Sequence, residues 1–467
     1  MSILCSVNQL SLIFPEKVCF ESFDASIYSG QRIALIGDNG SGKSSLLELL
    51  AGKRVVADGD IYFYQAIQIG YVAQIPAMAD GLSGAERFQK ALSDALSDNP
   101  ELLILDEPTN HLDSNNRKQL LQFLRYYSGT LIIASHDPQL LSMIPDCFWS
   151  IQGGKIEPFY GSYDDFVREK EMKITQLGHQ LASLQRDKKA IHGQRMKEQN
   201  RAKNAKEKGK KSIQNRKWPT IVSHAKMYRA NQTAGKRSQQ IHDKREEIIT
   251  KISEIDRPEI IVPTFHLPAG FMTKKSVVMV KDGEIGYGDS IIANQINIQL
   301  FGQGRLAIIG ANGSGKSTLI KGIMNQSGVL KRGEWQGPST QDIGYLDQHY
   351  QQLSRHETVL STLELARPDW SHAQIRSHLN DFLFKSNPVV NQSVTSLSGG
   401  EKARLSLAKI AANPPKLLIL DEMTNNLDLT TRNHVIQCLQ NYPGPLIVIS
   451  HDEDFLKQIN VTEYYLM

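Results

Sequence analysis

The chain has 467 residues, enough for two or three domains that each bury a core of their own. Apolar residues make up 40% and charged residues 22%, a balance typical of soluble globular proteins, and no apolar run approaches the ~18 residues that a membrane-spanning helix needs. The start of the chain lacks the basic leader and cleavage site of an export signal, and the four cysteines are too scattered for a metal or iron–sulfur centre. We therefore expect a cytoplasmic protein that does not span a membrane.

The strongest motif occurs twice. Residues 37–44 read GDNGSGKS and residues 310–317 read GANGSGKS, both matching the phosphate-binding pattern G-x-x-x-x-G-K-[ST] between a strand-like and a helix-like run. The glycines let backbone N–H groups close around phosphates, and the next helix presents its positive end. The loop lysines would reach the β and γ phosphates, and Ser44 and Ser317 would hold Mg²⁺. The predicted ATP-binding residues of the two loops are Gly37, Asp38, Asn39, Gly40, Ser41, Gly42, Lys43, Ser44, Ser45, Gly310, Ala311, Asn312, Gly313, Ser314, Gly315, Lys316, Ser317 and Thr318.

An aromatic residue precedes the first glycine of each phosphate loop at the same distance, Phe14 in the first copy and Tyr287 in the second. Their rings could stack on adenine, although an aromatic residue near a strand end packs in a core at least as often. A glutamine also recurs, because Gln74 and Gln348 follow their loop lysines at spacings that differ by a single position. Both glutamines are suited to bind Mg²⁺ or the attacking water.

Two apolar strands of sequence LLILDE end in paired carboxylates, Asp106–Glu107 and Asp421–Glu422. At a strand end the aspartate is placed to act on Mg²⁺, and the glutamate can polarise the attacking water. A histidine in an SHD triplet follows each glutamate at identical spacing, His136 in the first copy and His451 in the second. A lone histidine at a strand end is more often structural, but the matched spacing favours contact with the γ-phosphate. We predict that both glutamates and both histidines are catalytic.

Two LSG tripeptides place Ser83 and Ser398 at the same distance before the aspartate of the following strand. These serines open helices, so their hydroxyls and N–H groups form an anion-binding end. Nothing in their own copy of the repeat requires such an end, which indicates that they face the γ-phosphate of the other copy. The predicted signature residues are Ser83, Gly84, Ala85, Glu86, Ser398, Gly399, Gly400 and Glu401.

Strand-like runs alternate with helical stretches in both copies, which indicates two α/β domains with largely parallel sheets. The two copies differ between the glutamine and the LSG serine. This stretch runs from Gln348 to Ser398 in the second copy but only from Gln74 to Ser83 in the first, so the first copy lacks most of the helical pattern found there. We assign residues 1–165 to a first domain, 166–259 to a linker and 260–467 to a second domain.

The linker is strongly basic. Residues 166–259 contain 24 Lys and Arg against 11 Asp and Glu, a net charge of +13, whereas the remainder carries −9. Apolar residues at three-four spacing on both arms predict two antiparallel helices, coiled-coil-like, with a tip near residues 192–237. A solvated charge run is the alternative. If the tip binds RNA, the residues expected to contact it are Lys206, Lys208, Lys210, Lys211, Arg216 and Lys217.

The phosphate loops, LSGGE at 397–401, DEPTNHLD at 106–113 and the SHD triplets together resemble an ATP-binding cassette protein, duplicated and without a membrane domain. DEPTNHLD with a charged helical linker between the cassettes resembles family F, whose members act on ribosomes. The resemblance implies that two ATP molecules are sandwiched head to tail within one monomeric chain. It also implies that the closed form enters the ribosomal exit site, with the linker tip toward the transfer RNA and the peptidyl-transferase centre.

The chain departs from the family pattern at several points. The first signature reads LSGAE, with Ala85 in place of the second glycine, and the second cassette reads DEMTNNLD, with Met423 for proline and Asn426 for histidine. The stretch that the first copy lacks corresponds to most of the first cassette's helical subdomain. These departures predict unequal hydrolysis at the two sites.

We therefore expect a cytoplasmic ATPase that binds ribosomal RNA and transfer RNA on the ribosome and either assists translation or protects against antibiotics. A fused ATPase pair of a transporter is one alternative, which the basic linker disfavours. A DNA-associated cassette protein is another, because a cationic tip attracts any polyanion.

Overall fold

The computed structural model describes residues 2–14, 17–55, 58–74, 84–110, 112–214, 239–240, 242–251, 276–347, 350, 352–423 and 427–467. Their contacts divide the chain into two units, one formed by Met1–Asp164 with Glu259–Met467 and the other by Asp165–Pro258. Within the described residues, no helix is both long enough and apolar enough to cross a membrane.

The first cassette, residues 2–164, combines a parallel sheet with an antiparallel one. The parallel sheet has the strand order β5-β6-β7-β3-β8-β9, in which β9 alone is antiparallel to its neighbour, and the antiparallel sheet has the order β2-β1-β4. In chain order the elements are β1 (Ile3–Phe14), β2 (Lys17–Tyr28), β3 (Arg32–Gly37), α1 (Lys43–Leu50), β4 (Asp58–Phe63), β5 (Ile69–Val72), α2 (Gly84–Leu96), β6 (Leu102–Asp106), α3 (Ser114–Tyr126), β7 (Thr130–Ala134), α4 (Pro138–Met143), β8 (Cys147–Gln152) and β9 (Lys155–Tyr160).

The central strands of this sheet are apolar along almost their whole length. Every residue of β6 and β7 is buried, as expected for strands covered on both faces by helices and a second sheet. Trp149 on β8 meets Phe23 on β2 edge to face, with ring centroids 5.0 Å apart. The core therefore lies between the two sheets and fixes the carboxyl ends of β3, β6 and β7 side by side.

The second cassette, residues 276–467, repeats this plan with the parallel order β14-β15-β16-β12-β17 and the antiparallel order β11-β10-β13. Its elements are β10 (Ser276–Tyr287), β11 (Ser290–Phe301), β12 (Arg305–Ile309), α6 (Lys316–Ile323), β13 (Leu330–Gln336), β14 (Ile343–Asp347), α7 (Val359–Ala366), α8 (His372–Asp381), α9 (Asn387–Val390), α10 (Gly399–Ala412), β15 (Leu417–Asp421), α11 (Leu429–Asn441), β16 (Leu446–Ile449), α12 (Glu453–Gln458) and β17 (Glu463–Leu466).

In the part of the chain that the structure describes, only the second cassette has a helical subdomain. The long segment between β14 and α10 builds α7, α8 and α9, and their buried side chains join those of α10 in one core cluster. The first cassette has a far shorter connection between β5 and α2. The expected fold class, two cassettes of which the first lacks most of its helical subdomain, is confirmed.

The described part of the unit Asp165–Pro258 is helical. It belongs mainly to α5 (Tyr163–Gln214), and residues 239–240 and 242–251 are helical as well. On α5, Leu177, Leu181 and Leu184 are half-buried while most of their neighbours are exposed. The helix continues beyond the expected start of the tip at residue 192, because the Lys, Arg, Gln, Glu and Ala residues there are strong helix formers. The antiparallel pairing of the linker stays a prediction.

Candidate active sites

The phosphate loops bend back on the first residue of the following helix. In the first loop, the ammonium group of Lys43 donates hydrogen bonds to the carbonyl oxygens of Gly37 and Asp38, at 2.7 and 3.2 Å. In the second loop, Lys316 donates to the carbonyl oxygens of Gly310 and Ala311, at 2.8 and 2.9 Å. Burial lowers the pKa of both lysines, while the surrounding carboxylates raise it. Each lysine is thus held over the loop in which a phosphate would lie.

The loop conformation requires glycine directly before each lysine. Gly42 and Gly315 have φ of 102° and 100°, a region that side chains rarely adopt. A Cβ atom on Gly42 would lie 2.9 Å from Cβ of Cys19, and one on Gly315 would lie 2.8 Å from Cγ2 of Ile292. Strands β2 and β11 therefore close the outer wall of the two loops, with a thiol in one cassette and an aliphatic side chain in the other.

The first loop opens on a cavity of about 290 Å³. The cavity brings together the aromatic ring, the lysine, the glutamine and the carboxylates that the sequence analysis selected from distant positions. Its lining residues are Phe14, Cys19, Asn39, Gly40, Gly42, Lys43, Ser44, Ser45, Gln74, Asp106 and Glu107. Phe14 and its counterpart Tyr287 are 39% and 42% exposed, so their rings are open to a ligand rather than packed in a core.

The donor atoms at the end of β6 fit a magnesium ion. Asp106 is 3% exposed, and within the described residues its Oδ1 has no hydrogen-bond partner. Burial raises the pKa of Asp106, while a hydrogen bond from the Ser44 hydroxyl lowers it. A buried, unsatisfied carboxylate oxygen beside a hydroxyl suits a hard divalent cation. Gln74 lines the same cavity.

The equivalent aspartate of the second cassette has an additional partner. The hydroxyl of Tyr345 on β14 donates to Oδ2 of Asp421 at 2.9 Å, and the Ser317 hydroxyl also bonds this carboxylate. Burial and the nearby carboxylate of Asp347 raise the pKa of Asp421. Gln348, the predicted metal ligand of this site, lies outside the described residues. Asp421 thus accepts hydrogen bonds from two hydroxyl groups, whereas Asp106 accepts one from the Ser44 hydroxyl.

Both predicted general bases have a left-handed backbone. Glu107 and Glu422 have φ of 49° and 48°, a conformation that is uncommon for residues with a side chain and that often marks active sites. In the first cassette, Oε1 of Glu107 lies 3.4 Å from Nε2 of His136, and the N–H of His136 donates to Oε2 at 3.3 Å. Burial raises the pKa of Glu107 to about 8. Burial thus makes this carboxylate a stronger proton acceptor than an exposed glutamate.

The same pair is looser in the second cassette. Oε1 of Glu422 lies 3.8 Å from Nε2 of His451, and Glu422 is half-buried. Burial raises the pKa of Glu422 and lowers the pKa of His451 to about 4. The imidazole of His451 is consequently neutral at pH 7, so that one ring nitrogen can donate a hydrogen bond and the other can accept one.

The second signature forms a complete helix cap. Ser398 is the N-cap of α10: its hydroxyl accepts from the N–H of Glu401 at 3.3 Å, and Glu401 accepts from the N–H of Ser398 at 2.8 Å. A Cβ atom on Gly400 would lie 2.6 Å from Oγ1 of Thr431 in the same cassette. Glycine is needed here to let α10 approach α11. The expectation that Ala85 lowers hydrolysis at the site it faces stays a prediction. Ser83 lies outside the described residues.

The structure adds two aspartates to which sequence reasoning gave no role. Asp113 and Asp428 close the DEPTNHLD and DEMTNNLD segments and are the N-caps of α3 and α11. Oδ2 of Asp428 accepts a hydrogen bond from the N–H of Asn39, 3.3 Å away in the other cassette. Asp113 belongs to the first cassette and acts on the second: its carboxylate raises the pKa of Lys316, whereas burial lowers that pKa. The repetition of a capping aspartate at equal spacing was the sequence signal for both.

The predicted RNA contacts are not described. Lys206, Lys208, Lys210 and Lys211 lie on α5 with side chains outside the described set, and Arg216 and Lys217 lie outside the described residues altogether.

Comparison with known proteins identifies the cassettes. A family model described as ABC transporter matches residues 20–78 and 293–425, and one described as an AAA domain matches residues 84–142. The probable ATP-binding protein YheS of Haemophilus influenzae is 28% identical over 98% of this chain and 78% of its own. Ribosome protection protein VmlR of Bacillus subtilis is 27% identical over 98% of this chain and 86% of its own. ATP-binding protein Uup of Caulobacter vibrioides is 28% identical over 95% of this chain and 74% of its own.

These relatives span both cassettes and the segment between them, as the resemblance in the motifs predicted. The chain therefore contains ATP-binding cassette domains in duplicate, and its similarity to these two-cassette relatives extends over nearly its whole length.

Proposed function

We propose that the chain is a cytoplasmic ATPase that closes its cassettes on ATP, binds the ribosome in that state and leaves after hydrolysis. The observation that carries the proposal is an arrangement of three residues that occurs in both cassettes. A lysine donates to carbonyl oxygens of its own phosphate loop, and a glutamate with positive φ lies beside a histidine at the ends of neighbouring strands. The nucleotide is ATP with Mg²⁺.

In each site the lysine binds the phosphates, and the serine and aspartate carboxyl would hold Mg²⁺, which neutralises charge on the transferring phosphoryl group when bound. The glutamate accepts a proton from the attacking water, and the histidine holds the carboxylate by its ring and contacts the γ-phosphate. The signature of the opposite cassette would complete the wall around the phosphate, so hydrolysis would depend on pairing.

Two features support the ribosome as the partner. The relative VmlR is named a ribosome protection protein. In addition, the described basic residues of α5 from position 186 onward are exposed, as expected for a surface that binds RNA phosphates: Arg186, Lys188, Lys189, Arg195, Lys197, Arg201 and Lys203. We propose that the tip of the linker contacts transfer RNA or ribosomal RNA in the exit site, near the peptidyl-transferase centre.

The trapped state tests this function. Glu107→Gln with Glu422→Gln keeps the shape of both side chains but removes the base, so ATP binding should persist and hydrolysis should stop. The variant should accumulate on ribosomes in ATP, measured by co-sedimentation, and slow growth. Recovery of the variant in the free fraction would overturn the ribosome proposal, and stronger binding to DNA at the same salt would favour the DNA-associated alternative. Binding to a membrane protein would favour the transporter alternative.

The contribution of the tip is measured by salt dependence. Replacing Lys206, Lys208, Lys210 and Lys211 by Gln should weaken ribosome binding and lower the log–log salt slope by about 3. Lys170→Gln with Lys173→Gln, at the start of α5, is the matched control and should leave the slope nearly unchanged. If all these variants bind alike, the tip is a solvated charge run. Drug susceptibility on deletion and on overexpression then separates a translation factor from a resistance determinant.

A further inference from the structure

The two phosphate loops differ at their second position, where the first has Asp38 and the second has Ala311. The side chain of Asp38 contacts the second cassette. Its Oδ1 accepts a hydrogen bond from the hydroxyl of Thr430, 3.2 Å away in the first turn of α11 in the second cassette. The next residue, Asn39, donates its N–H to Asp428, the N-cap of the same helix.

Asp38 therefore connects two parts of the first site. Its carbonyl oxygen accepts from the Lys43 ammonium at 3.2 Å, and its side chain reaches the second cassette. The far end of this connection is firmly held, because Asp428 is 5% exposed and accepts from the N–H of Thr431 at 2.7 Å. Burial alone would raise the pKa of Asp428, but the N–H and hydroxyl of Thr431 and the N–H of Asn39 hold it below its ordinary value.

A carboxylate on a phosphate loop is electrostatically unfavourable for a bound polyphosphate, since like charges repel across a site of reduced dielectric. The Thr430 hydroxyl gives Asp38 a partner that keeps its charge directed toward the other cassette. In the second loop, Ala311 carries no such group, although its carbonyl oxygen accepts from Lys316 in the same way. The asymmetry thus lies in the side chain alone, and the shared loop geometry shows that alanine is compatible with it.

We infer that Asp38 is a positioning residue of the first site: it ties the first phosphate loop to α11 of the second cassette, so that occupancy of this site is coupled to cassette pairing in a way that the second site lacks. The inference rests on the proposed ATP-driven closure for its kinetic consequence, but the contact itself can be measured without ATP.

The experiment is a double-mutant cycle between Asp38→Ala and Thr430→Val, with Asp38→Asn as the conservative variant. In the Glu107→Gln/Glu422→Gln background, closure is followed by energy transfer between one dye on each cassette as ATP and Mg²⁺ are titrated. Thr430→Val breaks the connection but keeps the charge, so it should raise the ATP concentration for half-closure about fivefold, and the same change should have little effect once Asp38 is replaced by Ala. Asp38→Asn should close at least as readily as the parent, because its amide oxygen still accepts. Asp60→Ala, which removes an exposed carboxylate on β4, is the matched control.

Additive effects of Asp38→Ala and Thr430→Val, or no effect of either, would overturn the inference. If the background variant does not close on ATP at all, the proposed function fails instead. The cycle is then read from the unfolding midpoints of the nucleotide-free variants, where a non-additive pair supports the Asp38–Thr430 connection and an additive pair rejects it.

Discussion

The signature helices of the two cassettes, α2 and α10, follow equivalent serines but lie in different surroundings. In α2, Ala85 and Phe88 are buried, whereas α10 buries most of its residues and packs against α7, α8 and α11. Equivalent positions have changed accordingly: exposed Lys90 and Ser93 stand where α10 has fully buried Leu405 and Ala408. The first cassette has therefore adapted its signature helix to solvent rather than leaving an apolar face uncovered.

The proposed catalytic residues show the opposite difference. Glu107 and His136 are 8% and 9% exposed, while Glu422 is half-buried and its histidine is farther away. The cassette that lost its helical subdomain thus has the more enclosed base. Because each base is expected to work opposite the other cassette's signature, the enclosed base faces the well-supported helix. A cassette can therefore lack most of its helical subdomain and still enclose the glutamate at the end of its sheet.

The largest expected effect is kinetic. We expect Glu107→Gln to lower ATP turnover by about tenfold or more, and Glu422→Gln to lower it much less, because positioning dominates phosphoryl transfer and the first site faces the intact signature. Steady-state turnover of the two single variants at saturating ATP measures this. Equal losses, or the reverse order, would show that the α2 signature builds an equally competent wall.

The packing difference predicts a smaller effect on stability. Leu92 on α2 is half-buried, and its equivalent Leu407 on α10 is fully buried. Leu407→Ala should therefore reduce the free energy of unfolding by about 3 kcal/mol, while Leu92→Ala should cost about 1 kcal/mol. Chemical denaturation of both variants checks the order. A Leu92→Ala loss as large as that of Leu407→Ala would mean that α2 is held as tightly as α10.

The smallest expected effect is on pH dependence. The folded-state pKa of Glu107 is raised from 4.5 to about 8, so its contribution to stability is present below pH 4.5 and is lost as the pH rises toward 8. Glu107→Gln removes this loss, so the variant should unfold roughly 2–4 °C above the parent chain at pH 8.5 but not at pH 4.5. Thermal unfolding of nucleotide-free protein at both values tests it. Glu422→Gln changes a more exposed site and should shift the unfolding temperature less. Equal shifts for both variants would mean that burial raises the pKa of the two glutamates to the same extent.

The parts of the site that the sequence predicted are those fixed by local spacing. Phosphate loops, strand-end carboxylates and the capping serine Ser398 depend on residues that are close in the chain or repeated at fixed distance. The 290 Å³ cavity brings Phe14 and Gln74 to the loop as the spacing implied. Duplication made these inferences strong, because each copy checked the other.

What the sequence did not predict depends on tertiary contact. Nothing in the residues near Asp428 shows that its carboxylate reaches Asn39, since the two are 389 positions apart. The left-handed backbone of Glu107 follows from the way β6 ends against β7, where its N–H donates to the carbonyl of Ala134 at 2.8 Å.

The left-handed backbone at Glu107 and Glu422 has an evolutionary consequence. Holding a side-chain-bearing residue there costs about 1 kcal/mol, which glycine would largely avoid and asparagine would reduce. If both glutamates are the bases proposed above, selection for hydrolysis would keep them in place against this cost, and folding and catalysis would make opposite demands on these two positions. In a lineage whose second cassette no longer needed to hydrolyse ATP, we expect Glu422 to drift toward glycine or asparagine before the surrounding core changes. Selection of this chain for heat tolerance alone should reach the same substitutions, and with them a stabilised protein that binds ATP but no longer releases it as ADP.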